Sequence, residues 1–262
     1  MNNLKNKRIL LGVSGSIAAY KSPDIVRRLQ DLGAEVRVII TSGGREFVSK
    51  LSLQTVSKNK VHDNLWDKEA ELAMGHIELA KWADVVIIAP ASANTIARLC
   101  HGKADDLLST VILATNASIL IAPSMNQQMF ASKAIKENLK ILTNRGVITI
   151  DPGFGEQACG DLGEGRLAEP KEIARQVATI FSNNTLSGKK VLITIGGTIE
   201  AIDPVRYISN HSSGKMGMAL AHACIQSGAE TTLVIGSISV EVEKRAEVIY
   251  ICLLYTSDAA DE

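Results

Sequence analysis

The fold is decided by the stretch KRILLGVSGSIAAYK, residues 7–21. Residues 7–13 are apolar enough for a buried β-strand, and the sequence SGS then turns the chain. Helical spacing follows over residues 20–32, and Gly33 is the type of residue that ends a helix. The stretch therefore predicts a strand, a tight turn and a helix, which is the opening unit of an α/β fold.

The same alternation of strand and helix returns along the chain. Further apolar runs are predicted to form strands at residues 35–40, 83–91 and 118–125. Helical segments are predicted near residues 93–100, 104–115 and 127–139. Because the strands are apolar on both faces and separated by helices, we expect a doubly wound, Rossmann-like parallel sheet with helices on both sides. Ligands bind at the carboxyl ends of the strands in such sheets.

A second unit of the same kind is predicted near residue 188, where SGKKVLITIGGT repeats the opening pattern. We expect a first domain over residues 1–181, a polar linker at 182–189 and the start of a second Rossmann-like domain at 190–251. One βαβ unit of about sixty residues cannot close a doubly wound sheet of usual size. We therefore expect the natural protein to continue, and we expect residues 252–262 to be an atypical tail.

Composition excludes several classes of function. The formal net charge is zero and no basic block stands out, which argues against a nucleic-acid partner. The four cysteines form no CxxC pair and no metal set, so we expect a reduced, cytosolic (cytoplasmic) setting and no metal in this part of the chain. No run approaches the roughly 20 apolar residues of a membrane span, and the N-terminus is typical of a first strand, not of a signal peptide.

The predicted strand ends carry donors that suit a phosphate-bearing cofactor. The spacing after the first strand is not GxGxxG, and no acidic residue follows the second strand to bind an adenosine ribose. Both departures favour a mononucleotide such as FMN over a dinucleotide. Ordinary tight turns and helix N-caps would give the same pattern. The candidate cofactor-binding residues are Gly15, Ser16, Ile17, Thr41, Ser42, Ser92, Asn94, Thr95 and Met125.

Three further residues are candidates for chemistry. His76 lies in GHIELA, Asn126 in PSMNQQMF and Cys159 in QACGDLGEGRLAEP, where the glycines leave little chance of a helix or strand. A thiol on a mobile loop can donate a proton or attack a substrate. The alternatives are a capped helix start for His76 and a small buried filler for Cys159. We favour one site formed by all three residues.

Six motifs, taken in order, resemble those of the flavin-containing cysteine decarboxylases, which include the phosphopantothenoylcysteine decarboxylases of coenzyme A biosynthesis. These motifs are SGSIAAYK, GHIELA, PASANT, GKADDLLST, PSMNQQM and ACGDLGEGRLAEP. The later run GGTIEAIDPVRYISNHSSGKMG resembles the opening of the phosphopantothenate–cysteine ligases. The resemblance implies FMN-dependent decarboxylation of 4′-phosphopantothenoylcysteine to 4′-phosphopantetheine. It also implies a small-molecule substrate and a homo-oligomer, namely a trimer or a multiple of trimers.

The resemblance also assigns roles. Loss of CO₂ from a cysteinyl carboxylate leaves a carbanion without an adjacent electron sink, and oxidation of the thiol by a flavin would create one. His76 then matches an early base or electrostatic partner, and Asn126 the group that binds the substrate carboxylate. Cys159 matches the proton donor to the enethiol, on a flap over the substrate. For Arg166 two interpretations stay open: a residue that binds the substrate phosphate or orders that flap, and an ordinary surface arginine.

For the second unit the resemblance implies a CTP- and Mg²⁺-dependent ligase that forms an acyl-cytidylate. Met216 stands where a phosphate-binding P-loop has Ser or Thr, so the Walker pattern fails. The later ligase motifs are absent, and we expect no ligase activity from these 262 residues. The matching residues are Gly197, Asn210, Ser212, Ser213, Gly214 and Lys215. Three alternatives to the decarboxylase stay open: a prenyl-transferring flavoprotein, a peptide cysteine decarboxylase and a non-catalytic regulatory subunit.

Overall fold

A computed structural model of the chain describes residues 4–66, 75–158, 160–181, 185–243 and 245–251, with the backbone but not the side chain of residue 226. Residue contacts divide the chain into two compact units, Met1–Phe181 and Ser182–Glu262. Cys159, residues 182–184 of the expected linker and the expected tail at 252–262 lie outside the described residues. In the described part, no helix is both long and apolar enough to cross a membrane.

The first unit is built on a parallel sheet. Its described strands are β1 (Arg8–Val13), β2 (Glu35–Ile40), β3 (Val61–His62), β4 (Val85–Ala91), β5 (Ser118–Pro123) and β6 (Ile148–Thr149). Their order is β3-β2-β1-β4-β5-β6, and each pairing is parallel. The direction of strand addition reverses between β1 and β4. That reversal opens a crevice at the carboxyl ends of these two strands, where ligands bind in doubly wound folds.

Helices cover both faces of this sheet. They are α1 (Ser22–Asp31), α2 (Ser42–Arg45), α3 (Lys50–Ser57), α4 (Gly75–Trp82), α5 (Ala93–Cys100), α6 (Leu107–Ala114), α7 (Gln127–Ala131), α8 (Lys133–Asn144) and α9 (Pro170–Ile180). One core cluster packs α1, α3 and α9 on one face, and a second packs α4, α5, α6 and α8 on the other. All seven residues of β4 are buried. The predicted two-sided burial of a doubly wound sheet is confirmed.

The predicted elements agree with the structure at the long apolar runs and differ from it in detail. The helix expected over residues 20–32 is split into a 3₁₀ turn, Ile17–Lys21, and α1. Gly33, with a φ of 95°, ends α1 as predicted. The two-residue strands β3 and β6 were not predicted, because such short segments carry no periodicity.

The prediction that glycines keep the segment around residue 159 free of strands was wrong. An antiparallel hairpin pairs β7 (Gly153–Glu156) with β8 (Leu162–Arg166). Gly165 has a φ of +129°, and a Cβ there would lie 2.5 Å from the Met125 carbonyl oxygen. Glycine therefore lets β8 approach the chain that follows β5.

Asp84 joins the start of β4 to the start of β1. Its carboxylate accepts hydrogen bonds from the Arg8 backbone N–H at 2.8 Å and from the Arg8 guanidinium at 3.0 Å. The Asp84 N–H donates in turn to the Arg8 carbonyl at 2.8 Å. The side-chain hydrogen bond from Arg8 holds the pKa of Asp84 below its ordinary value.

The second unit has a smaller sheet. Strands β9 (Lys190–Ile195), β12 (Glu230–Ile235) and β13 (Glu247–Tyr250) are parallel in the order β13-β12-β9. Helix α10 (Lys215–Gln226) packs on one face through Met218, Ala221 and Cys224. The long loop expected before it contains a short antiparallel pair, β10 (Ile199–Ala201) and β11 (Tyr207–Ser209). This described part of the unit has its own apolar core.

Glu243 is the most strongly perturbed carboxylate described in the second unit. A hydrogen bond from the Arg245 guanidinium, 3.1 Å long, is the main reason that its pKa falls to about 2. The His222 Nδ1 atom lies 2.7 Å from the same carboxylate. Glu243 therefore links helix α10 to the segment that precedes β13.

Candidate functional site

A cavity of about 720 Å³ lies at the carboxyl ends of β1, β4 and β5. Its wall is formed by residues 15–18, 20 and 21 after β1, residues 92–93 after β4, and residues 124–126 and 129 after β5. The hairpin β7–β8 adds residues 156–158 and 165–167. The size is within the usual range for small-molecule sites, and the position is the crevice where the strand order reverses.

Ser14 joins the two strand ends beneath this cavity. It is fully buried, its hydroxyl donates to the Pro90 carbonyl at 2.8 Å, and its oxygen accepts from the Ser92 N–H at 2.8 Å. Pro90 has no N–H, and the β4–β5 register shifts between Ile88 and Ala91. The Ser14 backbone N–H also donates to the Pro90 carbonyl at 3.3 Å, and the Ser14 side chain adds the bond to Ser92 at the point where the crevice opens.

The turn after β1 has the properties of an anion site. The structure gives the backbone N–H groups of Gly15, Ser16 and Ile17 no acceptor among the described residues. A Cβ on Gly15 would lie 3.1 Å from the Gly43 backbone, so the turn lies closely against the chain after β2. Unpaired N–H groups at the start of a helical turn bind phosphate well.

Serine hydroxyls extend this donor set across the crevice. The Ser16 hydroxyl lies 3.0 Å from that of Ser124, which follows β5. Ser92 caps α5 by accepting from the Thr95 N–H at 3.3 Å. Ser124 was not singled out from the sequence, although it lies within the quoted motif PSMNQQMF; only the strand order shows that it meets Ser16.

Six of the predicted site residues are brought together around the cavity: Gly15, Ser16, Ile17, Ser92, Met125 and Asn126. Four others lie off its described lining. Thr41 caps α2 by accepting from the Gly44 N–H at 3.1 Å, and buried Thr95 contacts the Ser92 hydroxyl at 3.1 Å. Ser42 and Asn94 are exposed. Thr95 is thus joined to the cavity wall by its contact with Ser92.

The catalytic candidates are placed differently from one another. Asn126 lies on the wall and caps α7. His76 lies in the first turn of α4 and is not among the described residues that line the cavity. Cys159 is outside the described residues, but its neighbours Gln157 and Ala158 line the cavity.

The hairpin is attached to the chain after β5 by hydrogen bonds. The Met125 N–H donates to the Gly165 carbonyl at 3.0 Å, and the Gln127 N–H donates to Gln157 Oε1 at 2.9 Å. Gln157 also donates through Nε2 to the Glu164 carbonyl at 3.1 Å. A Cβ on Gly163 would collide with the Gln127 side chain. The hairpin therefore forms one side of the cavity through contacts that local sequence patterns do not reveal.

Charged groups at the cavity include two cations. Lys21 is 16% exposed and forms an ion pair of 2.9 Å with Glu169, which is 68% exposed. Arg166 lies across Gly155, where a Cβ would come within 2.7 Å of the guanidinium. Both cations line the cavity, together with Glu156.

In the second unit, the predicted nucleotide residues meet at the carboxyl end of β9. A Cβ on Gly197 would lie 3.1 Å from the Asn210 carbonyl oxygen, and the Ser212 N–H donates to that carbonyl at 2.9 Å. Gly214, with a φ of +77°, begins α10 at Lys215. Among the described residues, no group of three His, Cys, Asp or Glu side chains could hold a metal ion.

Comparison with known proteins gives two family matches. Residues 1–182 match the Flavoprotein family, and residues 186–253 match the C-terminal domain of DNA/pantothenate metabolism flavoproteins. The chain is 55% identical to the coenzyme A biosynthesis bifunctional protein CoaBC of Vibrio cholerae, over 91% of this chain and 60% of that protein. It is 51% identical to CoaBC of Escherichia coli, over 94% of this chain and 62% of that protein. The chain thus spans about three fifths of the length of these relatives.

Solved structures resemble the first unit. A cysteine-to-serine mutant of PPC decarboxylase complexed with pantothenoylaminoethenethiol aligns with a TM-score of 0.62 and 34% identity, over 68% of this chain and 99% of that chain. The FMN-binding protein AtHal3 aligns with a TM-score of 0.59 and 34% identity, over 67% of this chain and 97% of that chain. With the family match over residues 1–182 and the cavity at the β1–β4 crevice, these similarities show that the chain belongs to the Flavoprotein family.

Proposed function

We propose that the first unit uses FMN to decarboxylate 4′-phosphopantothenoylcysteine to 4′-phosphopantetheine in coenzyme A biosynthesis. One observation carries the proposal. A single cavity joins an anion-binding turn to the Asn126 amide, in a unit that aligns with nearly the whole chain of a PPC decarboxylase. The alignment at 34% identity exceeds what a shared fold alone requires.

The residues present fit FMN. Its phosphate would be held by the N–H groups of residues 15–17, which have no acceptor among the described residues, and by the hydroxyls of Ser16, Ser92 and Ser124. The apolar side chains of Ile17 and Met125 offer a surface for its ring system. When bound, the flavin supplies reversible hydride transfer with the carbon that bears the substrate sulfur.

The side chains of the chain itself would bind the substrate and move protons. We assign the Asn126 amide to the substrate carboxylate, which it would orient by donating a hydrogen bond. Lys21 and Arg166 supply positive charge at the cavity for the substrate phosphate. Cys159 would protonate the enethiol that remains after CO₂ has left. The hairpin that flanks Cys159 would limit access of water to that step.

We further propose that the active protein is a homo-oligomer, a trimer or a multiple of trimers, and that His76 acts at the cavity of a neighbouring copy. His76 is not on the described lining of its own cavity. The cavity wall exposes Ile17 at 57%, Tyr20 at 62% and Met129 at 48%, and a second copy would cover this apolar surface.

For the second unit we propose the first part of the nucleotide site of a CTP- and Mg²⁺-dependent phosphopantothenate–cysteine ligase. The support is the contact between Gly197 and Asn210 and the glycine at the start of α10. Isothermal titration of the purified chain with CTP, with and without Mg²⁺, tests it. Loss of binding in Lys215→Ala, but not in the exposed control Lys190→Ala, is the supporting result.

The decarboxylase proposal is tested by purifying the chain, recording its flavin absorbance and measuring CO₂ release from 4′-phosphopantothenoylcysteine. We expect a yellow protein that releases CO₂, and at least hundredfold lower turnover for Asn126→Ala and Cys159→Ser, since each removes a group used in the reaction. Asn144→Ala, at an exposed position in α8 and off the described lining of the cavity, is the matched control. A protein that stays colourless and inactive after FMN is supplied would overturn the proposal.

A further inference from the structure

Asp161 lies in the hairpin next to Asn126 but is not among the described residues that line the cavity. We propose that Asp161 is a positioning residue, whose carboxylate fixes the orientation of the Asn126 amide so that the amide can bind the substrate carboxylate. The identity of the substrate rests on the proposed function. The positioning of Asn126 by Asp161 rests on the geometry of the two side chains.

Two contacts select the same orientation of the amide. Asn126 Oδ1 accepts from the Gln128 backbone N–H at 2.8 Å, and Asn126 Nδ2 donates to Asp161 Oδ2 at 3.1 Å. The oxygen and the NH₂ group of an asparagine amide have nearly the same shape, so the hydrogen-bond partners decide on which side each of them lies. An ionised carboxylate can only accept, and it therefore excludes the flipped amide on the hairpin side.

The orientation matters for the chemistry that Asn126 would perform. An amide nitrogen attracts a substrate carboxylate, whereas an amide oxygen in its place would repel it. The Gln128 contact alone is a neutral hydrogen bond, and the Asp161 contact adds a charge-assisted one. Asp161 would thus raise the fraction of protein in which Asn126 is ready to bind substrate, without contacting the substrate itself.

Main-chain and Gln157 contacts bring Asp161 to this position. The Gln157 N–H donates to the Asp161 carbonyl at 2.8 Å, and Gln157 and Gly165 attach the hairpin to residues 125 and 127. None of these contacts uses the Asp161 carboxylate. Substitution of that side chain should therefore leave these contacts of the hairpin in place while it weakens the hold on Asn126.

The first test is a double-mutant cycle. Asp161→Asn is nearly isosteric but can donate as well as accept, so it no longer enforces one orientation of the amide. We expect kcat/KM to fall about tenfold, the low end for a charge-assisted hydrogen bond, mainly through KM, with unchanged Tm and FMN affinity. The same substitution in an Asn126→Ala background should have no further effect. Glu164→Gln, on the same hairpin, is the control.

The second test does not depend on activity. In protein labelled with ¹⁵N-asparagine, the Asn126 side-chain amide signal is identified by its loss in Asn126→Ala. We expect this signal to move in Asp161→Asn and to stay in place in Glu164→Gln. An unmoved signal, or a kinetic effect that persists without Asn126, overturns the inference. If the unsubstituted protein releases no CO₂, the proposed function fails, while the amide signal still decides whether Asp161 positions Asn126.

Discussion

Ser14 shows how one small side chain holds the crevice together. Its hydroxyl pairs with groups of both Pro90 and Ser92, and all three lie where β1 and β4 separate. The backbone contributes a longer bond here, from the Ser14 N–H to the Pro90 carbonyl at 3.3 Å, and Pro90 itself has no N–H to donate. The geometry of the turn after β1 therefore depends on Ser14, which is not among the described residues that line the cavity.

Replacing Ser14 with alanine should destabilise the first unit by about 2 kcal/mol, because it leaves a buried donor or acceptor without its partner. Urea denaturation followed by circular dichroism measures the change. Ser22→Ala is the matched control, because Ser22 is also fully buried but makes a single longer bond of 3.3 Å to the Ala89 carbonyl. Equal losses in the two variants would contradict this account.

Some of the site residues could be predicted from the sequence because they follow the ends of predicted strands. Ser16, Ser92 and Asn126 were predicted because each follows a recognisable apolar run, and parallel strands bring such positions together. Ser124, Gln157 and Asp161 were missed because their contacts join segments distant in sequence. No local pattern encodes such pairings, since they depend on the strand order and on the placement of the hairpin.

At the scale of single elements, the hairpin β7–β8 depends on glycine. Gly165 combines a φ of +129° with close approach to the Met125 carbonyl. The abundance of glycine suggested a loop, yet glycine is what permits the strand to approach its neighbour. Tertiary contact, not strand propensity, stabilises this element.

Gly165→Ala should detach the hairpin from residue 125 and lower decarboxylation at least tenfold, because a Cβ would meet a backbone oxygen and strain φ. Steady-state kinetics and the flavin content of the purified protein measure the effect. Gly102→Ala separates the two causes, since Gly102 has a φ of +64° but open space around its Cα. We expect Gly102→Ala to cost stability without loss of activity.

The junction of β1 and β4 predicts a pH dependence. The pKa of Asp84 is lowered in the folded state, so its contribution is complete above the unfolded-state pKa of about 3.9. The contribution is lost as pH falls through the lower folded-state value. Asp84→Asn should therefore cost about 1 kcal/mol at pH 7, and the difference from the unsubstituted protein should shrink below about pH 4. A difference that stays constant from pH 7 to pH 3 would argue against this.

At the scale of the whole molecule, the described cores of the two units are separate clusters of residues. The alignment with the PPC decarboxylase covers 99% of that chain but only 68% of this one. We expect residues 1–181 expressed alone to fold, bind FMN and decarboxylate with a kcat within about twofold of the full chain. Flavin fluorescence and CO₂ release measure this, and an insoluble or flavin-free product would contradict it.

The overall architecture was the most predictable part of the protein. β1, β2, β4 and β5 were found because apolar runs on both faces are typical of central strands of a parallel sheet. β3 and β6 escaped prediction because these edge strands have only two residues each and carry no periodicity. The hairpin escaped prediction because its glycines suggested a loop. The strand order itself, which creates the crevice, was implied only by the fold class.

The common direction of the six strands has a practical use for protein engineering. The turn at Gly146, between α8 and β6, enters the sheet at the amino edge, opposite the edge where the cavity opens. A Cβ at Gly146 would meet nothing within 4 Å, but the φ of +87° disfavours any side chain there, so the exposed neighbour Asn144 is the better attachment point. A fluorescent dye or an affinity handle could be grafted there for immobilisation on a sensor surface, with the ligand entrance left facing the solution.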